Sequence, residues 1–389
     1  MIRTITQSFS LSNTYRIRFT ASLFSVANPL LAEVLELAST RRPAKVVIVL
    51  DDGVLNHHPQ LESDIRDLFK LHRETMTLCA PPLIVVGGET SKNSLREVEK
   101  VLSLINDAKV DRHAFIIAIG GGAVLDMAGF AASIGHRGIG IVRVPTTVLS
   151  QNDSGVGVKN SINFFGKKNF LGTFAPPIAV INDVNFLYTL DDRHWRAGVS
   201  EAIKVALIKD RHFFEWIEEN APRLANRDME AMQYLIHRCA EMHTDHIGQG
   251  GDPFEKGSSR PLDFGHWAAH KLEQLTDFEV LHGEAVAIGI CLDVVYSYQR
   301  KLIEEEVVSR VINCFQTLGF ATYHEALATS STDVGMNPEL LKGMEEFREH
   351  LGGELTIMLL EGVGQGTEHH EMHVPSLDKA VAYLQASAQ

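Results

Sequence analysis

The chain has few cysteines, no long apolar run and fewer basic than acidic residues. Its four cysteines stand far apart and form no CxxC pair, so neither a thiolate zinc site nor a disulfide framework is indicated: Cys79, Cys239, Cys291 and Cys314. The longest apolar stretches fall far short of the about 18 residues that a membrane span needs. The first residues show no apolar segment of a secretory signal. We therefore expect a cytoplasmic protein with free thiols and no membrane partner.

The balance of charge limits the possible partners. Acidic residues outnumber basic ones by 49 to 36, which gives a formal charge of −13 at pH 7. This net charge repels phosphate backbones and argues against nucleic acid as a partner, although a local basic pocket for a small anion is compatible with it. With 45% hydrophobic and 22% charged residues and only 13 prolines, the composition excludes disordered, collagen-like and coiled-coil proteins. A length of 389 residues favours two domains.

The first half of the chain alternates short β-branched runs with amphipathic segments such as 93–106. Four runs have the continuous apolar character of strands that are buried on both faces: 45–50, 83–86, 114–119 and 139–144. This alternation predicts an α/β domain with a parallel sheet.

From about residue 185 onward, the periodicity becomes helical. Six segments have the period and length of helices: 196–209, 211–220, 228–248, 265–275, 283–302 and 304–318. They predict a mostly α-helical second domain. We place the boundary near Asn182 and Asp183, which gives domains of 1–182 and 183–389, and we expect the functional site in the cleft between them.

A glycine-rich turn follows the strand predicted at 114–119. Residues 120–122 are all glycine, and the helical segment behind them contains Asp126. Such a turn lets the backbone approach a pyrophosphate at a helix N-terminus. Leu125 stands where the third glycine of the Rossmann fingerprint belongs, so the turn is either a dinucleotide site or a structural one. Asp51, at the end of a predicted strand, occupies the place of a ribose-binding acid, and a helix-capping aspartate fits equally well.

The stretch 145–174 is rich in hydroxyl, amide and lysine side chains. Lys159 and Lys168 lie within it, and Arg137 lies shortly before it. Hydroxyl and amide groups pair with substrate hydroxyls, and the cations neutralise phosphate. A surface loop has the same composition, so the stretch is either such a loop or a cradle for a phosphorylated, polyhydroxylated ligand.

A carboxylate and several histidines have the types and spacing of metal ligands. His266 and His270 lie four residues apart on one predicted helix face, His282 opens another helix, and Glu201 lies on a third. One carboxylate and two imidazoles suit a divalent ion that keeps positions open for substrate oxygens. Two surface histidines explain the His-x-x-x-His spacing equally well, and chain distance prevents the assignment of Glu201 by spacing alone.

Together these motifs resemble the sugar phosphate cyclases, the dehydroquinate synthase-like superfamily. The segments that carry the resemblance follow the family's order over about residues 45–300: GGGAVLDMAGFAA, RVPTTVLSQNDSGVGVKN, GKKNFLGTF, GVSEAIK, DFGH and LHGEAVAIG. The resemblance implies an N-terminal nucleotide-binding α/β domain and a mostly helical, metal-binding C-terminal domain. It also implies bound NAD, a divalent zinc or cobalt ion and a homodimer that acts on a small sugar phosphate.

The resemblance assigns site residues position by position. It makes Glu201, His266 and His282 the metal ligands and turns His270 toward the substrate. The implied NAD contacts are Asp51, Glu89, Lys92, Gly121, Gly122, Asp126, Thr146, Thr147, Lys168, Thr189 and Leu190. The implied substrate and phosphate contacts are Asp153, Lys159, Lys168, Asn169 and Lys204.

Four of these residues are given particular roles by the resemblance. Lys204 and Asp153 are candidates for proton relay and hydroxyl orientation, and Lys159 and His270 help to hold the leaving phosphate. Arg137 is expected to reach the neighbouring site of a homodimer.

Departures from the family pattern point to the substrate. Dehydroquinate synthases proper have an arginine and an asparagine where this chain has Ser259 and Asp263, with Arg260 the only nearby cation, and a family lysine is replaced by His243. Without those cations a substrate carboxylate is poorly compensated. A neutral ketose phosphate is therefore expected, as in the 2-epi-5-epi-valiolone synthase branch, which cyclises sedoheptulose 7-phosphate.

Near the C-terminal end, Arg348 or His350 takes the place of a family lysine close to the phosphate. The segment 369–373 contains three histidines that can bind a metal adventitiously, but we interpret it as a solvent-facing terminal segment.

The resemblance implies transient oxidation by NAD, phosphate elimination, re-reduction and intramolecular aldol closure, with no net oxidation. Within the cyclases, 3-dehydroquinate synthase and desmethyl-4-deoxygadusol synthase are alternatives. A metal-dependent alcohol or glycerol dehydrogenase is a more distant one, and it would need no phosphate-binding lysines. A non-catalytic ligand-binding homologue is the remaining alternative.

Overall fold

A computed structural model describes residues 4–250, 254, 261–329, 335–350 and 355–388. Its N-terminal half is built on a parallel sheet of seven strands among these residues, in the order β1-β9-β6-β5-β2-β3, with β4 also paired to β2. The strands are β1 Arg16–Thr20, β2 Ala44–Asp51, β3 Met76–Leu78, β4 Leu83–Val85, β5 Phe115–Gly120, β6 Gly140–Pro145 and β9 Ala179–Asp183. The four predicted strands are thus confirmed as β2, β4, β5 and β6, and so is the α/β class of this half.

Helices cover both faces of the sheet because its central strands are apolar on both faces. Val46, Ile48 and Leu50 of β2 join one core cluster, and Val47 and Val49 join the other. The helices of this half are α1 Leu30–Ala38, α2 Asp52–His57, α3 Leu61–Leu71, α4 Leu95–Asp107 and α5 Gly122–Ile134. Helices α1 and α3 pack on the first face, and α4 and α5 on the second.

The C-terminal half is mostly helical, as predicted, around one large apolar core. Its helices are α6 Asp192–Lys209, α7 Arg211–Ala225, α8 Met229–Gln249, α9 His266–Leu275, α10 His282–Gln299, α11 Glu305–Thr317, α12 Pro338–His350 and α13 Val374–Ser387. None of the described helices is both long and apolar enough to cross a membrane. We keep 182/183 as the proposed domain boundary.

Two hairpins were not predicted. The stretch 145–174 is not a surface loop: after a short helical turn at 150–154 it forms the antiparallel strands β7 Lys159–Phe164 and β8 Lys167–Phe174, packed on α5. A second hairpin pairs β10 Ile357–Gly362 with β11 Gln365–His369. His369 therefore ends a strand and is only partly exposed, which corrects the solvent-facing interpretation for this residue, whereas His370 and His373 are exposed.

A buried arginine organises the segment that leads into the first hairpin. Arg143 of β6 is fully buried, and its guanidinium donates to the carbonyls of Gly155 at 3.1 Å, Gly157 at 2.7 Å and Lys159 at 3.0 Å. It also donates to Asn160 Oδ1 at 2.7 Å. Carbonyl dipoles and an amide oxygen bind the two terminal nitrogens of the buried guanidinium, so this arginine fixes the backbone that carries Lys159.

The start of α9 is fixed against α10 by a close backbone approach. Gly265 has φ +77°, in the left-handed region, and a Cβ on Gly289 of α10 would lie 2.0 Å from the Gly265 carbonyl oxygen. Asp293 of α10, fully buried, accepts the Gly265 N–H at 3.0 Å and the Trp267 indole N–H at 2.9 Å. Burial raises the pKa of Asp293 to about 7. These contacts fix the first residues of α9 and α10, His266 and His282, relative to each other.

Gly289→Ala is expected to destabilise the protein because the added methyl group overlaps the Gly265 carbonyl. We expect the free energy of unfolding to fall by about 1–3 kcal/mol, measured by urea denaturation. Gly248→Ala in α8 is the matched control, because a Cβ there meets no atom of the described residues within 4 Å. Replacing a helical glycine there adds up to about 1 kcal/mol of stability. Equal stability of the two variants would contradict the packing described.

Candidate active site

The candidate site lies where the carboxyl ends of the parallel strands meet the beginnings of α9 and α10. Asp51 ends β2, Gly121 and Gly122 follow β5, and Thr146 and Thr147 follow β6. A Cβ on Gly121 would lie 3.5 Å from Thr147 Cγ2, so the two turns are adjacent. Ligands of open parallel sheets bind in the crevice at this edge.

Three side chains from three helices converge in the helical half. Glu201 comes from the middle of α6, while His266 and His282 are the first residues of α9 and α10. The Glu201 Oε1 atom lies 3.3 Å from His282 Nε2 and 3.6 Å from His266 Nε2. The ligand atoms of all three lie within 4.8 Å of one another, which suits a common divalent ion.

Hydrogen bonds fix the tautomers of both imidazoles. His266 Nδ1 donates to the Phe264 carbonyl at 3.1 Å, and His282 Nδ1 donates to Glu273 Oε2 at 3.0 Å. Both Nε2 atoms therefore face Glu201. A ligating histidine commonly donates its second N–H to a carbonyl or a carboxylate in this way.

The Glu201 carboxylate is buried without adequate donors. It is 1% exposed, and within the described residues neither oxygen has a hydrogen bond of normal geometry, although the Lys204 ammonium lies against Oε2. Burial would raise the pKa of Glu201, but Lys204, His266 and His282 together hold it well below its usual value. A buried carboxylate that stays ionised needs a cation, so these residues fit a divalent metal.

His266 is in the protonation state that a metal ligand needs. Burial and the Lys204 charge lower the pKa of His266 to about 4, so its imidazole is neutral at physiological pH. His270 lies one turn further along α9, with its ring 5.4 Å from that of His266 and 5.8 Å from that of His282. Burial and Lys168 hold its pKa well below the usual value. The His-x-x-x-His pair is thus split: only His266 faces Glu201.

A second possible ligand group shares one of these histidines. The ligand atoms of His270, Glu273 and His282 also lie within 4.8 Å of one another. In this group, however, Glu273 Oε1 already accepts the Lys168 ammonium at 2.7 Å. Glu273 Oε2 also accepts His282 Nδ1 at 3.0 Å, so both Glu273 oxygens are bonded. Glu201 Oε1, by contrast, has no hydrogen bond of normal geometry within the described residues, so the group around Glu201 is the better candidate for a metal site.

A chain of charged groups leads away from Glu201. Lys204, 2% exposed, lies between Glu201 and Asp153, and Asp153 Oδ1 accepts His243 Nδ1 at 2.8 Å. Burial would lower the pKa of Lys204, but both carboxylates raise it above its usual value. Lys204 is therefore a cation that can donate to a substrate oxygen.

Several residues expected at the nucleotide are already linked to one another. The Lys92 ammonium contacts Asp126 Oδ2 and Asn169 Oδ1, both at 2.6 Å, and Glu89 accepts Asn163 Nδ2 at 2.8 Å. These contacts tie the hairpin to the helix that follows the glycine-rich turn.

Asp51 and Thr189 also have partners within the chain. Asp51 accepts the Gly53 N–H at 2.9 Å and so caps α2. Of the two interpretations of Asp51, this contact fits the helix-capping one. Thr189 Oγ1 bonds His58 Nε2 at 2.9 Å, and Leu190 directly follows the turn that ends at Thr189.

Two predicted residues do not meet the site within one chain. Arg137 precedes β6, at the edge of the sheet opposite the carboxyl ends, separated from the glycine-rich turn by the length of α5, about 20 Å. Arg348 is exposed and pairs with Glu345 at 2.6 Å.

The structure describes only some of the other residues at which the chain departs from the family pattern. Asp263 is half-buried in a short turn before α9, and its charge raises the pKa of Lys204. Lys159 begins β7. Ser259 and Arg260 lie outside the described residues.

Two functional-site residues escaped sequence analysis. Glu273 lies one turn after His270 on the same helix face, a spacing that could have linked it to the histidines. Arg143 interrupts the apolar run IVRVP, and a cation in a buried strand requires buried partners. Neither signal identifies the partner, which comes from a distant segment in both cases.

Known proteins resemble this chain over most of its length. Family models described as 3-dehydroquinate synthase N-terminal and C-terminal match residues 82–197 and 198–337. A 3-dehydroquinate synthase of Shewanella pealeana is 31% identical over 95% of this chain and 96% of its own. A 3-dehydroquinate synthase of Cereibacter sphaeroides is 35% identical over 85% of this chain and 86% of its own.

Solved structures share the fold. A 2-epi-5-epi-valiolone synthase of Streptomyces hygroscopicus, with NAD+ and Zn2+ bound, has a TM-score of 0.86 and 27% identity, covering 98% of this chain and 100% of its own. A butanol dehydrogenase of Thermotoga maritima has a TM-score of 0.68 at 16% identity, covering 97% and 98%, so the likeness is one of fold alone. The matches to both family models, which together span residues 82–337, and to these relatives lead to one conclusion: the chain belongs to the 3-dehydroquinate synthase-like family of the sugar phosphate cyclases.

Proposed function

We propose that this protein is a phosphate-eliminating lyase, dependent on NAD and on a divalent zinc or cobalt ion, that cyclises sedoheptulose 7-phosphate to a 2-epi-5-epi-valiolone-like carbocycle. The observation that carries the proposal is the buried Glu201 carboxylate, unsatisfied and faced by the Nε2 atoms of His266 and His282. When bound, the metal polarises a substrate oxygen and NAD takes up and returns a hydride.

The chain's own residues orient the sugar and manage its protons. The Lys204 ammonium, held between Glu201 and Asp153, donates to a substrate oxygen at the metal position. Asp153, bonded to His243, accepts a substrate hydroxyl. The leaving phosphate is held by Lys159, Asn169 and His270. The neutral histidine and the amide stabilise its negative charge by donating hydrogen bonds.

The charges around the site favour a substrate without a carboxylate. Asp263 and Asp153 bring negative charge to the pocket, and His243, in place of a family lysine, already uses Nδ1 on Asp153. A heptulosonate carboxylate would be repelled here, whereas the hydroxyl groups of a neutral ketose find acceptors. The 31–35% identity to 3-dehydroquinate synthases keeps that activity as the second candidate.

The direct test is phosphate release by metal-loaded enzyme with catalytic NAD. We expect release from sedoheptulose 7-phosphate without accumulation of NADH, and none from the heptulosonate substrate of 3-dehydroquinate synthase.

The double variant His243→Lys/Asp263→Asn removes the repulsion of the heptulosonate carboxylate. It should shift the kcat/KM ratio of the two substrates at least about ten-fold toward the heptulosonate, a change of about 1.4 kcal/mol.

Asp245→Asn, an exposed charge removal on the same helix as His243, is the matched control and should leave that ratio unchanged. Release from the heptulosonate alone by the unmodified enzyme would establish the second candidate instead. Net NADH production would indicate a dehydrogenase.

Metal affinity should rise with pH. Burial alone would lower the pKa of His282, but Glu273 and Glu201 raise it to about 9. Because a ligand imidazole must be unprotonated, the metal displaces this proton, and affinity should fall about ten-fold for each pH unit below 9. Calorimetry at pH 7 in buffers of different protonation enthalpy should count about one proton released. Release of no proton would contradict the assignment of His282.

We also propose that the protein acts as a homodimer in which Arg137 completes the partner's site, since it lies far from the site of its own chain. Mixed dimers of Arg137→Ala and Glu201→Gln chains test this. Each mixed dimer retains one complete site, so an equimolar mixture should regain about a quarter of full activity. No recovery, despite verified subunit exchange, would place Arg137 outside the neighbouring site.

A further inference from the structure

One buried carboxylate joins the hairpin to the proposed metal ligands. Glu273 of α9 is 3% exposed, and its two oxygens serve different partners. Oε1 accepts the Lys168 ammonium of β8 at 2.7 Å, and Oε2 accepts His282 Nδ1 at 3.0 Å. The sheet-bearing half and the helical half of the molecule thus meet at this side chain.

We infer that Glu273 is a positioning residue that couples the metal position to a phosphoryl group bound at Lys168. The inference rests on the proposed function, since it requires both ligands. It identifies a role for Glu273 beyond packing: the carboxylate fixes the His282 tautomer and makes Nε2 a better ligand.

Lys168 controls how strongly Glu273 acts on His282. Its ammonium and the His282 imidazole both bond the Glu273 carboxylate. As a nearby positive charge, the Lys168 ammonium also disfavours a second cation at His282. An anionic phosphoryl group at Lys168 offsets that charge and leaves the carboxylate as a stronger acceptor for His282 Nδ1–H. Metal then binds more tightly, and by reciprocity the metal strengthens phosphoryl binding.

The neighbouring contacts do not offer this route. His266 Nδ1 donates to a backbone carbonyl, that of Phe264, whose charge does not change with ligand binding. The other buried lysine of the nucleotide side, Lys92, bonds Asp126 and Asn169 and none of the imidazoles in the described residues. Coupling therefore passes through Glu273 and His282.

The test measures Co2+ affinity of metal-free protein by competition with a chelator. Glu273→Gln should weaken Co2+ binding about 10–100-fold. Lys168→Met should strengthen it, because the opposing charge is lost, and these opposite signs distinguish coupling from the loss of a stabilising ion pair. The visible absorption of bound Co2+ should change in Glu273→Gln, since the orientation of His282 changes.

Added ligands then distinguish the source of the phosphoryl group. In the unmodified protein we expect NAD+ or inorganic phosphate to tighten Co2+ binding about five-fold or more, and in Glu273→Gln neither should. A response to NAD+ alone assigns Lys168 to the nucleotide, and a response to phosphate alone assigns it to the sugar phosphate. Absence of both responses overturns the coupling.

A second ion pair on α9 provides the matched control. Lys271 and Glu346 pair at 3.1 Å. Lys271→Met and Glu346→Gln should leave Co2+ affinity unchanged. If Glu273→Gln does not fold, Glu273→Asp, which keeps the charge but shortens the reach, should still weaken Co2+ binding.

Equal Co2+ affinity in the Glu273 variants and the unmodified protein would overturn the inference while leaving the proposed function intact. If the unmodified protein binds no Co2+, the proposed function itself fails.

Discussion

The arrangement of the site depends on one costly feature, an ionised carboxylate buried in the middle of α6. Glu201 is surrounded by Lys204 and two imidazoles, and its oxygens still lack hydrogen bonds of normal geometry. Removing a carboxylate from water costs several kcal/mol unless it is neutralised or paired with a cation. Lys204 keeps Glu201 ionised, and the Nε2 atoms that face it fit the divalent ion that we propose for this site.

The fold supplies this geometry by bringing helix beginnings to one point. His266 and His282 are the first residues of α9 and α10, and the glycine approach between those helices together with the bonds of Asp293 sets their relative position. The sheet contributes the glycine-rich turn, and the hairpin whose start Arg143 organises contributes Lys168, which faces α9. Chemistry in the cleft therefore depends on contacts made well outside it.

Much of the architecture was predictable because buried parallel strands are continuous apolar runs. The strands β2, β5 and β6 were predicted from such runs. The six helices from α6 to α11 were predicted from their helical period and length. The hairpin 159–174 was not, because its alternating polar residues and glycines also suit a loop. Neither the Rossmann-like turn nor the His-x-x-x-His spacing determines a ligand set on its own. The spacing pairs His266 with His270, whereas in the structure His266 and His282 face Glu201.

The proposed metal ligands, by contrast, came from the family resemblance, and the structure brings them together. What sequence could not provide was the partner of each buried charge: Glu273 for Lys168, or the carbonyls that bind Arg143. Those pairings join segments separated by 105 and 12 to 16 residues respectively, and they exist only once the chain has folded.

The central claim is that Glu201, His266 and His282 hold a divalent ion in this cleft. Anomalous diffraction at the cobalt or zinc edge from crystals of metal-loaded protein tests it most directly. We expect one strong peak bound by a Glu201 oxygen and the Nε2 atoms of both histidines. A peak between His270, Glu273 and the Nδ1 atom of His282, or none in the cleft, would contradict it.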